Sequence, residues 1–371
     1  MFKTDILFTG FYGHKNTGDD AFVEVASWGS QNYWNKKNNR FLAISKNLPD
    51  TIVDSKGYPF TMPKTYGLQL TQLIKETNYL ISAGGSTIHS KMLEQNPKMI
   101  AVKEKKRNKK LKIGGIGVSI GPFNSIKDEE AIKEYLKSID FLAVRDQTSY
   151  DYANSLELPY KPIRAFDLAA LLPGIYDYSK EVKDSQNIKV IGVSVCPVES
   201  VHSGMDVVEE IKRNERLVDL LKQLDKKEEV HFRFYVINGN LNFGDLKLTQ
   251  ETILKVNPKS FELIGYQKNT KLVWNSIADC DFVVSTRLHA SIFACFANTP
   301  FMLNEYHRKC SDFLMDIGYN DRFRLYNSEY DVAEKANQIL SVLAEPKEYS
   351  FPLYVDVMKE LAQDNFTKIL L

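Results

Sequence analysis

The sequence predicts an α/β protein made of two doubly wound, Rossmann-like domains that face a cleft. Three observations carry this expectation. Short apolar runs rich in β-branched residues alternate with amphipathic stretches of helical period from end to end. The alternation comes in two sets, separated by a polar stretch without periodicity near 173–187. The length, 371 residues, also exceeds what one ordinary hydrophobic core organises, so two domains are the default.

In the first set, DILFTG, RFLAIS, YLISAG, LKIGGIGVSI, FLAVRD and IRAFD read as strands. In the second, KVIGVSV, VHFRFYVI, FELIGY, DFVVST, PFMLN and RFRLY do so. Between them lie helical patterns such as DEEAIKEYLKSI and VVEEIKRNERLVDLLKQL, with apolar residues three and four apart. Strands separated by helices imply parallel sheets with right-handed crossovers. The expected boundaries are 1–175 for the first domain, 188–350 for the second and 351–371 for a final helix. Ligands are then expected at the carboxyl ends of the strands, in the shared cleft.

Composition excludes several classes. A net charge of +1 argues against a nucleic-acid footprint. Cys196, Cys280, Cys295 and Cys310 form no C-x-x-C pair and sit in or beside apolar stretches, as in a reduced, cytosolic protein. The six histidines are scattered, and none falls at ligand spacing from a cysteine, so no metal is expected. The N-terminus lacks the pattern of a signal peptide, and no run reaches the ~18 apolar residues of a membrane span. The basic segment KEKKRNKKLK, 103–112, reads as a solvated helix end, so membrane contact is at most peripheral.

Polar chemistry gathers at the expected strand ends. The first strand runs into GFYGHKNTGDDAF, which fits neither a Walker A loop nor a dinucleotide fingerprint. Asp19 and Asp20 fit the first turn of the next helix, where carboxylates suit the dipole; with Lys15 and Asn16 they also offer more polar groups than one cap needs. The third strand ends in Gly84-Gly85-Ser86, where bare backbone lets a ligand approach. The fourth gives GGIGVSIGP, and the fifth gives Arg145 and Asp146, read as a surface ion pair and a cap.

The stretch DFVVSTRLHASIFACF places Arg287 and His289 at the start of a buried helix that Ser285 or Thr286 can cap. A cation there opposes the helix dipole by ~0.3–1 kcal/mol, which makes sense if an anion binds. The plainer alternative is an arginine bonded to a carboxylate of the other domain, with a structural histidine. Tyr306, His307, Arg308 and Lys309 follow the next strand, PFMLN, and lie at the same sheet edge.

Taken together, GFYGHKNTGDDA, SAGGS, GIGVSIGP, VRDQTS and STRLHASIFACFANTPF followed by YHRKCSDFLMDIG resemble the polysaccharide pyruvyl transferase family, in the family's order over about 10–320. The resemblance implies a glycosyltransferase-B-like architecture and phosphoenolpyruvate as donor, a co-substrate rather than a cofactor. The product would be a pyruvate ketal on a glycan or lipid-linked sugar, made at the cytoplasmic side of the membrane. It implies His289 as the acid that protonates the enol carbon, with Asp19 or Asp20 orienting or deprotonating the acceptor. Arg287, Leu288, His307 and Lys309 would bind the donor, and Gly13, Asn16, Gly18, Gly84, Gly85 and Ser86 the acceptor. Two departures stand out. Cys196-Pro197 occupies a place where members often carry an arginine, for which Arg233, Arg308 or Lys309 are the candidate substitutes. The AGGSTIHS segment lacks the aspartate many members have nearby. A nucleotide-sugar glycosyltransferase and a non-catalytic glycan-binding module are the competing readings. The acceptor sugar and the oligomeric state, including a homo-oligomer, stay open.

Overall fold

The computed structural model describes residues 2–178, 188–201 and 207–371. Residues 179–187 of the expected linker lie outside the described residues.

The first half alternates as predicted: β1 (Thr4–Thr9), α1 (Thr17–Asn32), β2 (Asn39–Phe41), α2 (Tyr66–Glu76), β3 (Thr77–Ile88), α3 (Pro97–Arg107), β4 (Lys112–Ile120), α4 (Ile126–Ser138), β5 (Phe141–Val144), α5 (Gln147–Asn154), β6 (Ile163–Arg164) and α6 (Leu172–Tyr176). The second half follows with β7 (Lys189–Ser194), α7 (Val208–Lys227), β8 (Val230–Tyr235), α8 (Leu246–Val256), β9 (Phe261–Ile264), α9 (Thr270–Ala278), β10 (Phe282–Ser285), α10 (Leu288–Phe296), β11 (Phe301–Leu303), α11 (Arg308–Asp316), α12 (Val332–Ala344) and α13 (Val355–Thr367). The strands form two sheets, ordered β2-β1-β3-β4-β5-β6 and β11-β10-β7-β8-β9, with parallel pairing within each. Both orders reverse direction beside their first strand, so β1/β3 and β7/β10 are the switch points where a ligand crevice opens.

Central strands covered on both faces explain the runs of Ile, Val, Leu and Phe: Ile6, Leu7 and Phe8 of β1 are fully buried, as is Phe282 of β10. Helix α10 is buried along nearly its whole length, and Ala290, Ser291 and Ala294 leave room for its neighbours.

Three elements differ from expectation. RFLAIS pairs with β1 only through Asn39–Phe41, after which the chain turns. RFRLY is not a strand; it forms a short 3-10 turn, Asp321–Phe323, and a single bridge from Leu325 to Asn304. Strand β3 does not stop at its glycines. It continues to Ile88 with a register shift against β4 between Gly85 and Ile88.

The halves share one continuous core. Phe166 meets Phe296 at 5.8 Å between ring centroids, and Phe22 meets His289 at 5.1 Å. Helix α13 returns to the first half, where Asn365 accepts from Gly117 N at 2.6 Å and donates to Phe166 O at 2.9 Å. The Trp34 indole donates to the carbonyls of Phe366 and Ile369.

Candidate functional site

The β1–α1 loop enters the site first. Asn16, not an aspartate, caps α1, its side chain accepting from Gly18 N. The loop is stitched to the second half by Thr17 N to Ile237 O (2.9 Å) and Gly239 N to Lys15 O (2.7 Å). That anchoring fixes Asp19 and Asp20 in the first turn of α1. Asp20 accepts from the hydroxyl of Tyr266, beyond β9, at 2.7 Å. Burial pushes its pKa up to about 7. Asp19 is half-buried and keeps contact with open space. Burial and the neighbouring Asp20 push its pKa up to about 8, against the pull of Arg145, Lys309 and Arg287.

Helix α10 begins one residue later than expected. Arg287 is its extended N-cap residue, no side chain caps the helix, and Ser285 spends its hydroxyl hydrogen on the Arg287 carbonyl at 2.6 Å. His289 packs its imidazole against Gly18, where an added Cβ would stand 2.1 Å from Nδ1. Its side chain keeps 18 % exposure, and Nε2 has no hydrogen-bond partner. Burial lowers its pKa to about 4, opposed by Asp167, whose carboxylate lies 4.0 Å from Nε2.

Arg287 does not stand free for an anion. Its guanidinium engages Asp245 through Nε, at 3.0 and 3.1 Å, and through a terminal nitrogen. The partner carboxylate belongs to the same half of the chain, not to the other domain.

Arg145, expected at the surface, is 8 % exposed. Its Nε donates to Ser119 Oγ at 2.7 Å, one terminal nitrogen to Asp167 at 2.8 Å, and the other to Ser86 Oγ at 3.2 Å. Asp167 also holds the Ala169 amide at 3.0 Å, so its position is fixed from two sides. Lys309 approaches from the second half over the Tyr306 ring at 5.4 Å. Burial and the cations Arg287 and Arg145 lower its pKa, and among the described residues it has no ion-pair partner.

A cavity of about 50 Å³ lies between the two halves, lined on one side by Ser86, Arg145 and Asp167 and on the other by Leu288, His307 and Lys309. His307 caps α11, accepting from Lys309 N at 3.2 Å. Asp19 and His289 border this centre without lining the cavity. Arg145 is matched by Asp167, Arg287 by Asp245 and Arg308 by Asp312, Asp19 holds a proton at neutral pH, and Lys309 has no ion-pair partner among the described residues; Asp146 and Asp316 also line the cavity, and burial pushes the Asp316 pKa up to about 7.

The remaining expected residues fall into two groups. Ser86 and Gly85 reach the site; an added Cβ on Gly85 would stand 3.8 Å from Asp19 Oδ1. Gly84 and Gly13 shape backbone instead. Gly84 has φ +75° and lies hard against Phe22, and Gly13, at φ +77°, packs on Ala43 and Asn47. Of the candidate substitutes for the absent arginine, Arg233 turns away to Glu262 and Ser276, and Arg308 pairs with Asp312 at the rim. Cys196 is buried, its thiol 3.8 Å from the Tyr306 hydroxyl. Arg213 of α7 lies over the Tyr306 ring at 5.2 Å and pairs with Glu199. Arg145, Asp167, Asp245 and Tyr266 were not singled out as site residues from sequence. Only for Arg145, at a strand's carboxyl end, was there a positional signal.

Two parallel-sheet Rossmann-like domains meeting at their switch points, closed by a C-terminal helix that returns to the first, define a glycosyltransferase-B-like protein. Solved structures of that shape include S. aureus MnaA with UDP (TM-score 0.60, 10 % identity, 98 % of this chain and 92 % of that one). The Neisseria meningitidis UDP-GlcNAc 2-epimerase bound to UDP-GlcNAc (0.57, 12 %, 98 % and 96 %) is another, as is Anabaena Alr3699/HepE with UDP and glucose (0.56, 11 %, 98 % and 95 %). At such identity the likeness is one of fold. The chain belongs to the polysaccharide pyruvyl transferase family, whose model matches residues 15–308. No curated protein matches it. Among the described residues no helix is long and apolar enough to cross a membrane, and no group of His, Cys, Asp and Glu is arranged to hold a metal ion.

Proposed function

We propose that this protein transfers pyruvate from phosphoenolpyruvate to two hydroxyls of a glycan or lipid-linked sugar, forming a ketal and releasing phosphate. The observation that carries the proposal is the convergence of Arg145 and Lys309, from opposite halves, on one cavity, where Lys309 has no ion-pair partner among the described residues. A small polyanion bridging the halves fits that arrangement, with the uncapped N–H groups of α10 beside it. Arg145 supplies the forked cation that Cys196 does not.

In this reading the acid and the base exchange the roles expected for them. Near neutral pH Asp19 carries a proton and His289 does not. Asp19 therefore delivers its proton to the enol methylene, leaving an electron-poor carbon between carboxylate and phosphate ester oxygen. A sugar hydroxyl adds to that carbon as His289 takes its proton. The second hydroxyl then displaces phosphate, which leaves with that hydroxyl's proton. Asp20, tied to Tyr266, holds the loop rather than reacting.

Purified protein given phosphoenolpyruvate and a panel of glycans is expected to release phosphate only when both are present. Arg145→Ala and Lys309→Ala should each weaken donor binding about 10- to 100-fold, read by thermal shift. Stabilisation by UDP-sugars but not by phosphoenolpyruvate would overturn the reading in favour of a nucleotide-sugar enzyme.

A further inference from the structure

A second cavity, of about 540 Å³, lies on the second half at the carboxyl ends of β7, β8 and β9, within the ~300–1,000 Å³ range of ligand pockets. Its walls carry Asn240 and Asn242 from the loop after β8, Lys247, Gln250 and Glu251 from α8, and Tyr266. Donors and acceptors are mixed; among the described residues Lys247 is the single cation of the lining, beside the carboxylates of Glu210 and Glu251. Such a lining suits a neutral, hydroxyl-rich ligand better than a phosphate.

Side-chain-to-backbone hydrogen bonds brace the loop that makes this wall. Asn238 Oδ1 accepts from Asn240 N (3.1 Å), Asn240 Oδ1 accepts from Asn242 N (2.9 Å), and Asn238 Nδ2 holds Phe243 O (3.1 Å). Phe243, between the lining residues Asn242 and Gly244, turns toward the first half and meets Phe11 at 6.2 Å between centroids. Phe11 is 43 % exposed and stacks on His14 at 4.1 Å with 19° between planes. Partial desolvation lowers the His14 pKa, so the stacked ring is uncharged at neutral pH. Phe11 and His14 belong to the same β1–α1 loop that carries Asp19, and Tyr12 between them is buried, its hydroxyl donating to Ala83 O at 2.7 Å. Two exposed flat rings are thus presented from an anchored loop beside a polar cavity.

We infer that Phe11, His14 and Phe243 form a platform for one face of a pyranose ring, and that the adjoining cavity binds the hydroxyls of the same acceptor glycan. The inference rests on the reading of the protein as a sugar-modifying enzyme, and it moves acceptor recognition from the glycine turns to the seam between the two halves. An apolar sugar face on an aromatic ring, with hydroxyls turned to amides and carboxylates, satisfies both kinds of surface at once.

The test is saturation-transfer NMR on the full chain without phosphoenolpyruvate, using lactose, cellobiose and N,N′-diacetylchitobiose as probes. At least one disaccharide should receive saturation on the protons of one ring face. Phe11→Ala and Phe243→Ala should each reduce that transfer at least fivefold, and Phe11→Tyr should retain it. Thermal melts matching the parent protein exclude misfolding, since both side chains are partly exposed. No transfer to any of the three probes, or unchanged transfer in Phe11→Ala, overturns the inference. If phosphoenolpyruvate stabilises none of these proteins while disaccharide transfer persists, the donor assignment fails and the sugar platform stands.

Discussion

Burial reverses the ordinary protonation order of Asp19 and His289, and the consequence is measurable. With Asp19 near 8 and His289 near 4, kcat/KM should be flat between those values. It should fall at lower pH as His289 gains a proton and at higher pH as Asp19 loses one. Asp19→Asn should cost about 10²- to 10⁴-fold in turnover and abolish the alkaline limb, which a pH–rate profile of parent and variant checks. The pair was legible in the sequence as a polar cluster on a glycine-rich turn and a histidine at a helix start. Their protonation was not, because it depends on the desolvation created when the other half packs over them. Arg287 makes the same point. Its oddness beside a buried helix was visible, but Asp245, 42 residues earlier, became its partner only through the pairing of β8 with β7 and β7 with β10.

The two elements that define the site are the β1–α1 loop and the start of α10. Gly18 lets them touch. A methyl at that position would overlap the His289 ring, so Gly18→Ala should displace the imidazole and lower kcat about 100-fold. Gly18 has no positive φ to enforce, so the backbone itself tolerates alanine. A kcat assay beside a thermal melt distinguishes loss of geometry from loss of fold. Strand β3 shows where element-level reading fell short. The paired glycines read as the strand's end, yet β4 continues alongside and keeps Gly84 and Gly85 in the sheet through a register shift. RFRLY had the composition of a strand but found only one bridge, to Asn304. Pairing needs a neighbour, and that is a property of the assembled sheet.

At the scale of the whole molecule, α13 joins the end of the chain to the first sheet. Asn365 is fully buried and satisfies Gly117 N and Phe166 O together, so Asn365→Ala leaves both unpaired and should cost about 1–3 kcal/mol, measured by urea unfolding. Stability should also respond to pH through buried carboxylates of α1. Asp20 and Glu24 are raised to about 7 and Asp19 to about 8, so from the ordinary carboxylate range up to those values the native state binds more protons than the unfolded chain. Stability then falls as pH rises through that window. His289 acts oppositely, favouring the fold as pH rises from about 4 to its ordinary value. Melting temperatures across pH should decline toward pH 8, and Asp20→Asn should make the decline shallower.

The sequence by itself determined the alternation of strands and helices, the two sheets and the strand ends where polar chemistry collects. Each of these follows from local periodicity and from glycine and capping residues within a few positions of one another. The tertiary structure alone decided which charges face each other. Arg145 came inward because Ser86, Ser119 and Asp167, from three different segments, converge on it. Arg287 was neutralised, Lys309 was left without an ion-pair partner among the described residues, and Asp19 kept its proton because two halves packed over a shared, poorly hydrated seam. Electrostatics at such a seam depends on distance and burial in space, and neither is written in the spacing of residues along the chain.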